Sequence, residues 1–191
     1  MRELLLASSN PHKIEEIRQL LDGLWLVKGL RDIGFEEDIP ETGATLEENA
    51  RIKAFFLHER TGMDCFSEDT GLEVKILGGA PGVHTARYAG EQKSPDANMD
   101  RLLAEMEGKT ERGARFRTVI ALIRDGHEHY FEGIAEGRIA EERLGEGGFG
   151  YDPVFVPASE TRSFAQMSAQ EKNAISHRGK AVQQLIDFLR E

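Results

Sequence analysis

At 191 residues, with 39% hydrophobic and 30% charged side chains, the chain can build a substantial core and has the make-up of a globular protein. Thirty-four acidic residues against 24 Lys and Arg give a formal net charge of −10, which argues against a nucleic-acid polymer as partner but leaves room for a small phosphorylated ligand held by a few local cations and a metal. A lone cysteine, Cys65, excludes an internal disulfide, and no apolar run suits a membrane span or an export signal, so a cytoplasmic protein without membrane contact is expected.

Leu4-Leu5-Leu6-Ala7 predicts a short buried strand, and Pro11 then opens a helix whose Ile14, Ile17, Leu20 and Leu21 share one face. Between them lies Ser8-Ser9-Asn10-Pro11-His12-Lys13. A helix N-terminus favours anions, the Ser and Asn side chains add donors and Lys13 adds charge, so the segment reads as a phosphate cradle. The alternative is ordinary N-capping by Ser9 or Asn10 beside a surface lysine. Trp25-Leu26-Val27 predicts a second strand. Glu41-Thr42-Gly43 offers a loop carboxylate for a metal, although an exposed loop glutamate is the commoner case. Thr45-Leu46-Glu47-Glu48 resembles a capping box for a helix running to about Arg60.

The next strand is expected to end at Cys65-Phe66, with Ser67-Glu68-Asp69-Thr70-Gly71-Leu72 forming an acidic turn at its end. Mg²⁺ takes one or two carboxylates and completes its shell with water and substrate phosphates, so this turn is the first candidate for chemistry. Adjacent side chains on a strand point to opposite faces, so Glu68 and Asp69 should differ in role. Cys65, with no base nearby in sequence, reads as a buried small hydrophobe rather than a nucleophile.

Gly78-Gly79-Ala80-Pro81-Gly82 is a loop without Walker or dinucleotide-binding spacing. It leads to a short helix around His84 to Tyr88, where Arg87 and Tyr88 can face a site or a partner subunit. Pro95 to Met106 predicts another helix. Ala114 to Arg124 and His129 to Ile139 predict a hairpin turned at Asp125-Gly126. His127 and His129 share a strand face, but no second ligand pair completes a zinc site. In Gly145-Glu146-Gly147-Gly148-Phe149-Gly150-Tyr151-Asp152-Pro153, glycines free the backbone around aromatics. Phe149 can stack on a nucleobase and Asp152 can hydrogen-bond its edge, or Phe149 and Tyr151 can pack in the core. Lys172, His177 and Arg178 gather before a last helix that buries Val182, Leu185, Ile186 and Leu189. They suit a phosphate or a purine carbonyl, or a solvated basic face. No G-x-S-x-G elbow is present. The pattern is α/β with a mixed central sheet flanked by helices and no repeat or linker.

Taken in this order, these segments resemble the inosine triphosphate pyrophosphatase (Ham1-like) family over nearly the whole chain. The matching runs are Ser8 to Lys13, Glu41-Thr42-Gly43 with Glu48-Asn49-Ala50, Ser67 to Leu72, Leu77 to Gly82, Ala86 to Gly90, Gly147 to Pro153, and Glu171-Lys172-Asn173 with Ile175 to Arg178. Three details depart from the usual pattern: Ser8-Ser9 in place of a Thr-centred form, Glu68 where many relatives carry Asp, and Val83-His84-Thr85 before Ala86-Arg87-Tyr88. The resemblance implies a single pyrophosphatase domain over residues 1–191, two-lobed, with its active site in the cleft between lobes, acting as a homodimer. It implies Mg²⁺-dependent hydrolysis of ITP, dITP and XTP to the monophosphate and pyrophosphate. By residue, it makes Asp69 the general base and Glu41 and Asp69 the metal acids. Ser8, Ser9, Asn10, Pro11, His12, Lys13 and Thr70 become phosphate contacts. Phe149, Gly150, Tyr151 and Asp152 become the base loop, and Lys172, His177 and Arg178 meet phosphates and the 6-oxo edge. Two other readings stand beside it, a Maf-like hydrolase of modified pyrimidine nucleotides and a non-catalytic Mg-nucleotide sensor.

Overall fold

The computed structural model describes residues 2–190. One six-stranded sheet runs in the order β2-β1-β3-β4-β5-β6, from β1 (Arg2–Leu6), β2 (Trp25–Lys28), β3 (Cys65–Val74), β4 (Gly113–Arg124), β5 (His127–Ile139) and β6 (Phe155–Pro157). The helices are α1 (Pro11–Leu20), α2 (Leu46–Thr61), α3 (Pro95–Glu105), α4 (Ala169–Ile175) and α5 (His177–Arg190). β1 pairs in parallel with both β2 and β3, whereas β5 and β6 run antiparallel. The expected mixed α/β sheet is therefore present. The β4–β5 turn has positive φ at both Asp125 (51°) and Gly126 (76°), the backbone that a tight two-residue hairpin requires.

The chain divides into two compact units, one from Met1–Asp69, Thr118–Gly133 and Arg178–Glu191, the other from Thr70–Arg117 and Ile134–His177. In the first, β1 is buried on both faces, which is why it reads as an unbroken apolar run. Leu4 and Leu6 join Ile17, Phe66, Ile120 and the α5 residues Val182, Leu185 and Leu189. Leu5 and Ala7 join Leu30, Leu57 and Cys65 on the other side. The second unit has its own core around Leu72, Leu102, Phe116, Ile139, Val154, Phe155 and Phe164.

Three expectations need correction. The strand expected to end at Phe66 runs on unbroken to Val74, so Glu68 and Asp69 lie within β3 rather than in a turn. Charge stops a strand only where it must reach water, and here buried cations meet it. The three-residue β6 was not foreseen. It is too short to show a period and is fixed by its neighbour: a Cβ on Gly137 would lie 2.3 Å from the Val156 carbonyl oxygen, so only glycine lets the strands close. Finally, α2 is capped by the Thr45 side chain accepting from the Glu48 N–H, but the Glu48 carboxylate returns to Ala44 N–H, one residue earlier than a capping box demands.

Candidate active site

In the first unit the chain leaves β1 at Ala7, whose N–H donates to the Phe66 carbonyl, and enters α1 through Ser8 to Asn10. Ser8 Oγ accepts from Asn10 N–H, and the Asn10 carboxamide oxygen accepts from His12 and Lys13 N–H at 3.0 and 3.2 Å. The helix start is thus capped by Asn10, and those backbone donors are already engaged. What the segment presents outward is the exposed Ser9, Pro11 and His12. Lys13 is no loose surface lysine: its Nζ sits 2.9 Å from Glu68 Oε1.

Glu68 and Asp69 do face different partners. Glu68, with its side chain wholly excluded from solvent, also meets Arg178 at 3.3 Å, and Arg178, itself only 2% exposed, pairs in addition with Glu16 of α1. Asp69 Oδ1 instead accepts from Lys53 Nζ at 2.7 Å. The same ammonium donates to the Glu68 carbonyl at 2.9 Å and reaches Glu41 Oε1 at 3.3 Å. Gly43 brings Glu41 there. Its N–H donates to Asn49 Oδ1, and a Cβ would crowd Glu48 Cβ at 2.7 Å and Asn49 N at 2.9 Å, so the loop lies flat on the start of α2. Burial works against the Lys53 charge, but Asp69 and Glu41 more than offset it, and the ammonium titrates above an ordinary lysine. Burial also pushes the Asp69 carboxyl above the ordinary aspartate range, against the opposing pull of Lys53 and Lys13.

Lys53 is the residue that sequence reasoning missed. Its signal was a charge inside the buried stripe of α2, in step with Ala50, Ala54 and Leu57. Lysine almost never lies fully inside without a partner, so its position called for buried acids nearby.

In the second unit, Tyr151 and Asp152 are buried and committed to protein contacts. The Tyr151 hydroxyl donates to the Thr85 carbonyl at 2.7 Å. Asp152 Oδ2 accepts from Phe149 N–H at 2.9 Å and from Lys172 Nζ at 2.6 Å. Gly148, at φ 69°, is needed for this: a Cβ would lie 2.2 Å from Asp152 Oδ2. Phe149 and Gly150 stay half-exposed at the tip of the loop. Lys172 Nζ lies 4.8 Å from the Phe149 ring centre, within cation–π range. His177 is buried, its ring stacked on Phe116 at 4.5 Å and 15°. Lys172, His177 and Arg178 therefore form no exposed basic face. Lys172 and His177 both lie against Phe164, while Arg178 belongs with Glu68. Thr70, half-buried, directly follows Asp69 in β3.

Among the described residues, no group of three or more His, Cys, Asp or Glu side chains is arranged to hold a metal ion. The acids nearest to such a role are Glu41 and Asp69, which converge on one cation, the Lys53 ammonium. Cys65 is fully buried, donates to the Ala54 carbonyl, and has its thiol pushed up to about 12, by burial first and by Asp64 second. The thiolate is the reactive form, so at pH 7.5 iodoacetamide should leave the folded protein unmodified and alkylate Cys65 only after unfolding. Alkylation of the native protein within minutes, seen by intact mass, would restore Cys65 as a nucleophile.

The sequence model of the Ham1 family matches residues 4–188. A relative from Porphyromonas gingivalis named dITP/XTP pyrophosphatase is 56% identical over 190 residues, covering 99% of this chain and 98% of the relative. One of the same name from Bacillus subtilis is 44% identical over 193 residues, covering 99% and 98%. Among solved structures, a HAM1 protein from Coxiella burnetii superposes with a TM-score of 0.90 at 39% identity, covering 100% of this chain and 99% of its own. The Ham1 protein of Staphylococcus aureus does so with 0.89 at 38% identity, covering 99% and 98%. With a match that spans both compact units and nearly every residue, this chain belongs to the Ham1 family.

Proposed function

We propose that the chain hydrolyses deaminated purine nucleoside triphosphates, dITP, XTP and ITP, to the monophosphate and pyrophosphate, clearing them from the nucleotide pool. The names of its relatives support the substrate class. The observation that carries the chemistry is the buried Lys53–Asp69 pair beside Glu41. Asp69 is a carboxylate with a raised affinity for protons, suited to take one from water as the water oxygen bonds to phosphorus and the bridging P–O bond breaks. Lys53 holds Asp69 at one oxygen.

The charges favour a divalent ion as helper. Glu41 and Asp69 both turn carboxylates toward the Lys53 ammonium, so two acidic groups lie together there. A polyanionic triphosphate brought beside them would be repelled by those carboxylates. Two convergent carboxylates suit Mg²⁺, which keeps waters and substrate phosphates for the rest of its shell. Glu41 and Asp69 would hold it, and when bound it would neutralise phosphate charge and polarise the phosphoryl oxygens. Ser8, Ser9, Asn10, Pro11, His12, Lys13 and Thr70 would serve the phosphates.

The base would lie on Phe149 and Gly150, with Tyr151 and Asp152 shaping the loop from beneath, and Lys172, His177 and Arg178 supplying donors. A site of donors accepts a 6-oxo purine and leaves adenine's 6-amino group facing donors, a mismatch that buried polar groups penalise strongly. Aromatic stacking is worth about 1–3 kcal/mol per base, so Phe149→Ala should raise KM for XTP roughly 5- to 150-fold with a smaller change in kcat. An unchanged KM would remove Phe149 from the base site. The family resemblance further supports a homodimer, and the sequence, with no apolar run suited to export or a membrane span, supports a cytoplasmic setting.

The test is product analysis with Mg²⁺ and XTP, dITP, ITP, ATP or GTP in parallel. Monophosphate plus pyrophosphate from the first three, and scarcely any from ATP or GTP, is the expected result. Orthophosphate release, or equal turnover of all five, would overturn it. A chelator should abolish turnover and added Mg²⁺ restore it.

A further inference from the structure

We propose that the turn Ser163–Gln166 is the positioning element that holds the Phe149 loop in register with Lys172, and that Ser163 is its key positioning residue. The inference rests on the base-site reading given above and adds to it a residue far from the loop in sequence. Ser163 is 0% exposed, and its Oγ donates to the Leu144 carbonyl, at the foot of the glycine loop. Its own N–H donates to Gln166 Oε1 at 2.9 Å, closing the turn on itself. Two residues on, the Ala165 carbonyl accepts from Gly147 N–H at 3.2 Å.

The contact is close enough to dictate glycines. A Cβ on Gly147 would lie 2.7 Å from the Ala165 oxygen, and one on Gly145 would lie 2.7 Å from Gln166 Cγ. Gly145 also has φ 83°, a backbone that favours glycine on its own account. Between the two anchoring residues sits Phe164, whose ring packs in the core of this unit. It lies 5.6 Å from Lys172 Nζ and 6.1 Å from the His177 ring, and it packs on Phe155 and Phe116. One short turn therefore grips the loop that carries Phe149 with its polar atoms and meets Lys172 and His177 with its aromatic ring. The distance from Lys172 to the Phe149 ring is set from both ends: by the Asp152 carboxylate directly, and by this turn through Leu144 and Gly147.

The group acts through others, so its loss should show as misplaced binding rather than lost chemistry. Two variants test it, Ser163→Ala and the milder Gln166→Ala, whose exposed side chain lies outside the core. Steady-state kinetics with XTP and ATP and amide hydrogen exchange over residues 145–149 are measured beside wild type. In Ser163→Ala, KM for XTP should rise about 5- to 10-fold with kcat within about twofold, and the XTP-over-ATP ratio of kcat/KM should fall by a similar factor. Exchange at 145–149 should quicken, and Gln166→Ala should move each readout the same way by less. A variant with a lower melting temperature but wild-type KM, selectivity and loop exchange would overturn the inference, since that is what a merely structural serine gives. If wild type itself fails to turn over XTP, the base-site reading falls first. Unaltered kinetics in the variants beside an active wild type sinks this inference alone.

Discussion

Asp69→Asn is expected to lower kcat with XTP by about 10²- to 10⁴-fold, the usual worth of a positioned general base, while the protein stays folded. The substitution is nearly isosteric. Its amide oxygen can still accept from Lys53 Nζ, which keeps its bonds to the Glu68 carbonyl and Glu41. What is lost is the ability to take a proton, and one of the two carboxylates that face Lys53. Lys53→Met should act on the same step through the other partner. It strips Asp69 of the group that fixes it and leaves Asp69 and Glu41 facing each other without their shared cation. Wild-type turnover in Asp69→Asn would sink the assigned role of Asp69. A fall in KM affinity without a fall in kcat would make Asp69 a binding group instead.

The elements with a clean period were legible in sequence. The apolar face of α1, the buried stripe of α5 and the Asp-Gly hairpin each stand where 3.6- or 2-residue patterning and turn chemistry put them. β3 was cut short because two adjacent acids read as an exposed turn. They stay in the strand because Lys13, Arg178 and Lys53 meet them, and those partners lie 55, 110 and 16 residues away in the chain. The same holds for Lys172 and Asp152, 20 residues apart. Candidate residues can be recognised one motif at a time, but their pairing is a property of the fold. Knowing the pairs changes the reading of several residues. Asp152 is held by Lys172 and Phe149 N–H, Tyr151 is spent on Thr85, and Lys13 is held by Glu68. Within each unit these side chains are held by protein partners, so their placement costs no further ordering.

The second large effect is on stability. Glu68→Ala is expected to destabilise the protein by about 3–5 kcal/mol, the cost of breaking a buried ion pair from one side. Glu68 is shared by Lys13 and Arg178. Its removal leaves Arg178, 2% exposed, with Glu16 as its ion-pair partner, and leaves Lys13 part-buried without this acid. Water cannot easily replace the carboxylate at a site where the Glu68 side chain is wholly excluded from solvent. Chemical denaturation should show the loss as a lower midpoint at unchanged slope. In a chain of this size it amounts to roughly 6–20 °C in Tm. Lys13→Met is the control. It removes a cation that is itself 19% exposed and leaves Glu68 paired with Arg178, so it should cost clearly less stability than Glu68→Ala. On the proposed function, however, Lys13→Met removes a phosphate contact, so its larger effect should be on KM. Equal stability losses in the two variants would mean that Glu68 is held chiefly by Lys13, and that Arg178 draws its place in the fold from Glu16.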